Sequence, residues 1–279
     1  MTTTLRPAAP LQREPDGTVR PRPYDICVNG RPVGSLRVGT APGMGPTVGL
    51  LEGLTVQEAD RGRGRATVAL LAAEEVLRGW GCTLARCTVP ADAGPALRLA
   101  TALGWTEGSR NMVKTLPPTP PPLPPGLTAR PMTEGEYARW EAVSREAYAQ
   151  EWATRGLPEE QARARSEASY RDNLPQGLAT PGVSFGVVEA GGARAGHVWV
   201  SSGQAEPGVP GAYVFDVEVR PEFRGRGLGR ALMLLAERTA LGAGDGVIGL
   251  HVFADNTPAR RLYDSLGYTT TRLHWSKPL

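Results

Sequence analysis

The stretch from Ala212 to Leu235, AYVFDVEVRPEFRGRGLGRALMLL, constrains the fold more than any other part of the chain. Tyr213 to Val219 alternates in the manner of a β-strand, and Leu228, Leu232 and Leu235 recur at helical spacing. Between the two runs lies Arg224-Gly225-Arg226-Gly227-Leu228-Gly229. A strand, a glycine-rich turn and a helix start, in that order, make an anion site. Glycines let successive backbone N–H groups converge on a ligand, and the helix N-terminus adds partial positive charge. The expected ligand carries phosphate.

Spacing separates three phosphate-binding patterns. A Walker loop needs Gly-Lys-Ser/Thr, but the only lysines are Lys114 and Lys277, and neither lies near a glycine loop. A dinucleotide fingerprint needs G-x-G-x-x-G/A, yet the third small position falls on Arg230 or Leu232. What remains is R-x-x-G-x-G from Arg224 to Gly229. Downstream, Val247–Phe253 reads as a strand, followed by Asn256-Thr257-Pro258-Ala259-Arg260-Arg261-Leu262-Tyr263 and then Gly267-Tyr268. Pro258 suits a first helical turn, Gly267 suits a C-terminal cap, and Ala259, Leu262, Tyr263 and Leu266 share one helical face. The loop together with this N-x-x-A-x-x-x-Y…G-Y run resembles the GCN5-related N-acetyltransferase (GNAT) family.

The same pattern occurs twice. Arg61 and Arg224, Val56 and Val219, Gly104 and Gly267, and Leu103-Gly104-Trp105 and Leu266-Gly267-Tyr268 are all separated by 163 residues. The chain therefore resembles a tandem GNAT protein. The fold class implied is α/β (α+β): two tandem GNAT folds, each a mixed, mostly antiparallel sheet flanked by helices with a splayed central strand pair. The copies are unequal, since Ala100 stands at the position of Tyr263 and Ala93 at that of Asn256. The expected organisation is a flexible arm over 1–23 and a truncated, non-catalytic module over 24–116. A Pro-rich linker over 117–126 and a complete catalytic module over 127–279 follow. Whether the first module binds coenzyme A or serves only as packing stays open. The linker, with PPTPPPLPP at Pro117–Pro125, favours polyproline II.

Local signals fill in the modules. Asn29-Gly30 and Gly191-Gly192 mark hairpins, and Thr133 with Glu136 forms a capping box ahead of a helix to about Arg155. A second, strongly charged helix is expected from about Pro158 to Asn173. In GNAT proteins two such helices cover the acceptor, so the resemblance makes Trp140, Tyr148 and Trp152 candidate pocket residues, with Tyr213 on the adjoining strand.

The resemblance implies acetyl-CoA as donor and a small-molecule or peptide amine as acceptor. It assigns Val217, Glu218 and Val219 to the pantetheine arm. Arg224, Gly225, Arg226, Gly227, Leu228, Gly229 and Arg230 are assigned to the pyrophosphate, and Asn256, Ala259 and Tyr263 complete the cofactor side. Tyr263 matches the family's general acid for the leaving thiolate. Glu218 and Asp216 are the nearest carboxylates able to take the ammonium proton. Tyr213 stands where the family often places its base, so the base is left open.

Composition narrows the classes. With 31 basic and 28 acidic residues the net charge is only +3, which argues against a dedicated nucleic-acid binder. Transfer from an aminoacyl-tRNA, and a non-catalytic coenzyme A-binding module, are the alternative readings. Three cysteines without a C-x-x-C pair fit a reduced chain, and His197, His251 and His274 have no metal-ligand spacing. No apolar run has the length of a membrane span and the N-terminal stretch has no apolar signal core, so a cytoplasmic location is expected. Oligomeric state leaves no trace.

Overall fold

A computed structural model describes residues 2–120 and 122–279. The first half of the chain forms β1 (Thr3–Pro7), β2 (Arg22–Val28), β3 (Arg31–Thr40), β4 (Val48–Val56), α1 (Arg65–Gly79), β5 (Leu84–Pro90), α2 (Gly94–Ala102) and β6 (Thr106–Thr115). The second half forms β7 (Leu127–Pro131), α3 (Glu134–Thr154), α4 (Glu159–Asn173), β8 (Val183–Ala190), β9 (Ala193–Glu206) and β10 (Val209–Val219). It ends with α5 (Leu228–Gly242), β11 (Val247–Phe253), α6 (Thr257–Ser265) and β12 (Thr269–Pro278). The 163-residue repeat is literal at the level of elements: α1, β5, α2 and β6 begin and end 163 residues before α5, β11, α6 and β12.

The chain divides into two compact units. One comprises residues up to Gly108 with Arg155–Arg165 and Arg272–Leu279; the other comprises Ser109–Thr154 and Ser166–Thr271. In the first, strands run in the order β1-β2-β3-β4-β5-β12, with β4 and β5 parallel and the other neighbours antiparallel. In the second the order is β6-β11-β10-β9-β8-β7, with β10 and β11 the parallel pair. Both are mixed, mostly antiparallel sheets flanked by helices.

Two expectations need correction. The arm over 1–23 contains a strand: β1 pairs antiparallel with β2 from Thr3↔Val28 to Pro7↔Tyr24, and Arg13 bridges Val19. Proline and arginine disguise it, but a sheet edge tolerates proline. The boundary at the Pro-rich stretch is likewise not the boundary between compact units. Residues 109–115 of β6 pair with β11 in the second unit, and residues 272–278 of β12 pair with β5 in the first. The linker itself contains Pro121, which lies outside the described residues.

Side-chain chemistry matches this exchange. Within the second unit Lys114 on β6 donates to both carboxylate oxygens of Glu237 on α5, at 2.7 and 2.8 Å. Within the first, Lys277 on β12 donates to Glu74 on α1 at 2.7 Å, and Trp105 donates its indole N–H to the same carboxylate. Glu74 and Glu237 are nearly inaccessible to solvent, so each needs its lysine.

The second unit's sheet is covered on both faces. Val198, Val200, Val214, Ile248 and Leu250 pack with Leu228, Leu232, Met233 and Ala236 of α5. On the opposite face an aromatic core of Tyr137, Trp140, Tyr170, Phe185 and Trp199 joins α3 and α4 to β8 and β9. The capping box forms as read. Thr133 N–H donates to Glu136, whose own N–H reaches Thr133 Oγ1, and Arg130 ties Glu136 to Glu189. In the first unit no helix intervenes between β1 and β4, so the helix pair that precedes β8 has no counterpart within residues 2–48.

Candidate active site

The glycine loop and the strand before it create an opening in the second unit. Parallel pairing of β10 with β11 covers only Ala212↔Ile248 to Val214↔Leu250, whereas β10 continues to Val219 and β11 to Phe253. The strands splay beyond Val214, and Val217, Glu218 and Val219 lie on the diverging part. The loop then turns back, held by Arg224 Nε donating to Val219 O at 3.2 Å. Gly225 and Gly227 have φ of 76° and 77°, a region that penalises any side chain, and a Cβ at either would meet nothing within 4 Å. Gly227 caps α5 without a side-chain acceptor. The first N–H groups of α5 therefore open onto an unobstructed cradle, as an anion site requires.

The surrounding residues divide between exposed and structural positions. Arg224 and Arg226 are exposed beside the cradle, Arg226 lying 5.7 Å from the Phe223 ring. Arg230 instead donates to Ser265 Oγ at 2.6 Å and ties α5 to α6. Leu228 is buried in the core, and Gly229 lets Leu262 of α6 approach to 3.1 Å of where its Cβ would stand. Asn256 caps α6, its side-chain oxygen accepting the Ala259 N–H at 3.2 Å.

Tyr263 lies on α6 with 5 % exposure. Burial, and secondarily the Asp216 charge, push its phenol up to about 12. Tyr213 is raised further by burial and then by Tyr148 and Tyr263, so the three phenols share one neighbourhood. Tyr148 and Trp152 meet edge to face at 6.2 Å, and Trp152 meets Phe253 of β11 at 6.1 Å.

The two candidate carboxylates share a face, and a bulge sets what faces them. The β9–β10 register shifts between Val214 and Asp216, which places Asp216 opposite Trp199 and Glu218 opposite His197. Asp216 Oδ2 receives the Trp140 indole N–H at 2.9 Å and lies 2.9 Å from His197 Nε2. Burial opposes its ionisation, but the hydrogen bonds from His197 and Trp140 outweigh that and hold the carboxyl below its usual range. Asp216 is thus an ionised, committed acceptor. Glu218 is half exposed, with Oε2 3.7 Å from His197 Nδ1. Trp140 is a buried member of the aromatic core whose one polar atom is spent on Asp216.

Trp199, Tyr170 and Phe215 were not singled out from the sequence, and His197 was read only as lacking metal-ligand spacing. Phe215 stacks on Trp199 at 4.5 Å between centroids, and His197 meets the Trp140 ring edge to face at 6.2 Å. The signal for His197 was present: antiparallel pairing of adjacent strands puts a residue of β9 against the Asp216 and Glu218 face. Without the bulge the register could not be counted.

The first unit repeats the scaffold. Pairing of β4 with β5 ends at Leu51↔Cys87, Arg61 Nε donates to Val56 O at 2.9 Å, and Gly64 caps α1 at φ 72° without a side-chain acceptor. Ala100, 4 % exposed, replaces the tyrosine, and Ala93 begins α2 with no side-chain cap. Among the described residues no cluster of His, Cys, Asp and Glu has metal-binding geometry, and no helix is long and apolar enough to cross a membrane.

Comparison with known proteins adds to this geometry. Residues 4–105 and 145–268 each match the Acetyltransferase (GNAT) family. A mycothiol acetyltransferase of Thermobispora bispora is 33% identical over 224 residues, which is 77% of this chain and 71% of that protein. The N-acetyltransferase YdgE of Bacillus subtilis, described as uncharacterized, is 29% identical over 155 residues, 55% of this chain and 98% of its own. Among solved structures, a GCN5-related N-acetyltransferase from Sphaerobacter thermophilus aligns with TM-score 0.59 at 21% identity, covering 92% of this chain and 80% of that one. A tandem GNAT protein from the clavulanic acid biosynthesis pathway aligns with TM-score 0.50 at 22% identity, covering 95% and 85%. At these identities the structural matches speak to the fold.

Proposed function

The chain belongs to the GNAT family of acetyltransferases, and on that footing we propose that it is an acetyl-CoA-dependent N-acetyltransferase acting through its second module. The reaction read here is direct transfer of the acetyl group to the amine of an acceptor. The observation that carries this reading is the open cradle of Gly225 to Gly229 beside the β10–β11 splay, in the same unit as the buried Tyr263 of α6. The first repeat copy is proposed to be without catalysis, because Ala100 stands at the position of Tyr263 and cannot give up a proton. The relatives named mycothiol acetyltransferase make a small-molecule amine the first acceptor class to test.

Acetyl-CoA supplies the thioester and its leaving thiolate. The chain's residues do the rest. N–H groups of the loop and the first turn of α5 hold the pyrophosphate, with Arg224 and Arg226 adding charge. The diverging edge of β10 at Val217 to Val219 pairs with the pantetheine arm, and a backbone N–H near Val219 stabilises the tetrahedral oxyanion. Glu218, the exposed carboxylate of the pair, takes the proton of an alkyl-ammonium whose ordinary pKa is about 10.4 if lysine-like. As nitrogen bonds to the acyl carbon and the C–S bond breaks, Tyr263 protonates the sulfur. Trp140 supports Asp216 from behind, while Tyr148, Trp152 and Tyr213 line the acceptor side.

The test is thiol release from acetyl-CoA with a panel of primary amines, in the wild type and in Gly227→Trp. Release that requires both an amine and an open loop supports the reading. Release unaffected by Gly227→Trp places the reaction elsewhere.

A further inference from the structure

The acidic pair is joined through a buried imidazole. His197 has 2 % side-chain exposure and lies between the two carboxylates, Nε2 at 2.9 Å from Asp216 Oδ2 and Nδ1 at 3.7 Å from Glu218 Oε2. The tautomer follows from the partners. An ionised carboxylate only accepts, and Trp140 already donates to the same Oδ2, so Nε2 carries the proton of that bond. In the neutral ring Nδ1 is then the nitrogen with a lone pair, and it faces Glu218. Trp140 stands edge-on to the ring and Trp199 occupies the same sheet face, so water has little access to His197. The 3.7 Å gap exceeds a hydrogen bond, but the half-exposed Glu218 side chain needs only a small swing, or one water, to close it.

We propose that His197 is a positioning residue of acceptor deprotonation: anchored to Asp216 through Nε2, it offers Nδ1 to Glu218 and receives the proton that Glu218 takes from the acceptor. The inference rests on the acetyltransferase reading above. The protons balance. The ammonium loses one proton to the Glu218 carboxylate, which passes it to Nδ1 and returns to its ionised form. The resulting imidazolium is paired with Asp216, and its proton later leaves to solvent by way of Glu218. Glu218 thus stays a base through the second loss, when the nitrogen bonded to the acyl carbon sheds its remaining extra proton. His197 never touches the acceptor.

A purely structural histidine would only satisfy Asp216, and glutamine can do that, since its amide N–H₂ reaches about as far as Nε2 but offers no basic nitrogen. The proposal therefore turns on His197→Gln in the full chain. With acetyl-CoA and 2-phenylethylamine as probes, the variant should keep the wild-type melting temperature and KM for acetyl-CoA while kcat falls about a hundredfold. A kcat within twofold of wild type overturns the relay. A second measurement needs no acceptor. The chain has only three histidines, so ¹⁵N imidazole signals lost in His197→Gln identify the residue. They should report a protonated Nε2 and an Nδ1 shift that moves in Glu218→Gln. Protonation at Nδ1 with Nε2 bare, or indifference to Glu218→Gln, overturns the assignment. A wild type that binds no acetyl-CoA would count against the acetyltransferase reading, and the imidazole signals would still decide this one.

Discussion

The proposed role of Tyr263 as donor to the departing thiolate needs a phenol that is protonated at neutral pH. It is so, burial pushing its pKa up to about 12 and making it a weaker acid that yields its proton only as charge develops on the sulfur. Tyr263 also occupies the core with Leu266 and Tyr268, so removing its ring would damage packing as well as chemistry. Tyr263→Phe separates the two. It should lower kcat about a hundredfold and leave the Kd for acetyl-CoA within about twofold, measured by steady-state thiol release and by calorimetry. Equal losses in both would make Tyr263 a packing residue. The tyrosine could be found in the sequence because it sits in a local, ungapped pattern. The different surroundings of Asp216 and Glu218 could not, because they are set by a bulge and by Trp140 and His197, which are distant in sequence.

At the scale of elements, helix starts were the most readable features. The Thr133–Glu136 capping box, the Asn256 cap and the glycines at Gly64 and Gly227 all lie where short-range rules put them. The unexpected part is how firmly α3 is fastened. Arg130 bonds both Glu136 and Glu189, and that hydrogen bond, with the Thr133 groups, lowers the Glu136 pKa to about 2. An acid with a depressed folded pKa stabilises the fold above its unfolded value, and that contribution fades as pH falls toward the folded value. The wild type should therefore lose thermal stability between about pH 4.5 and pH 2 more steeply than Glu136→Gln, which is less stable at pH 7. Parallel melting curves would contradict the assignment. Element boundaries followed from hydrophobic period and caps, whereas β1 escaped because edge pairing leaves no core pattern in a Pro- and Arg-rich segment.

For the whole molecule, the repeat was legible and the exchange of strands was not. A constant 163-residue separation reveals two copies, but nothing local tells β12 to pair with β5 or β6 to pair with β11. The chain's only two lysines hint at it in retrospect, since Lys114 and Lys277 are also 163 residues apart and each neutralises a buried glutamate. Cutting the chain at a protease site inserted between Leu116 and Leu127 should leave two fragments that co-elute until denaturant is added. Separation would strip β5 of β12 and leave Glu74 buried without Lys277, a loss of about 3–5 kcal/mol for the ion pair alone. Fragments that part as folded monomers would contradict the pairing. The two copies also pose the central question of function, because both keep an arginine-anchored, uncapped glycine loop while only the second keeps the tyrosine. Calorimetric titration of the full chain with acetyl-CoA, repeated with Gly227→Trp and Gly64→Trp, addresses it directly. One site per chain, lost in Gly227→Trp and kept in Gly64→Trp, is the predicted result. No binding by the wild type, or binding that survives Gly227→Trp, would contradict the account.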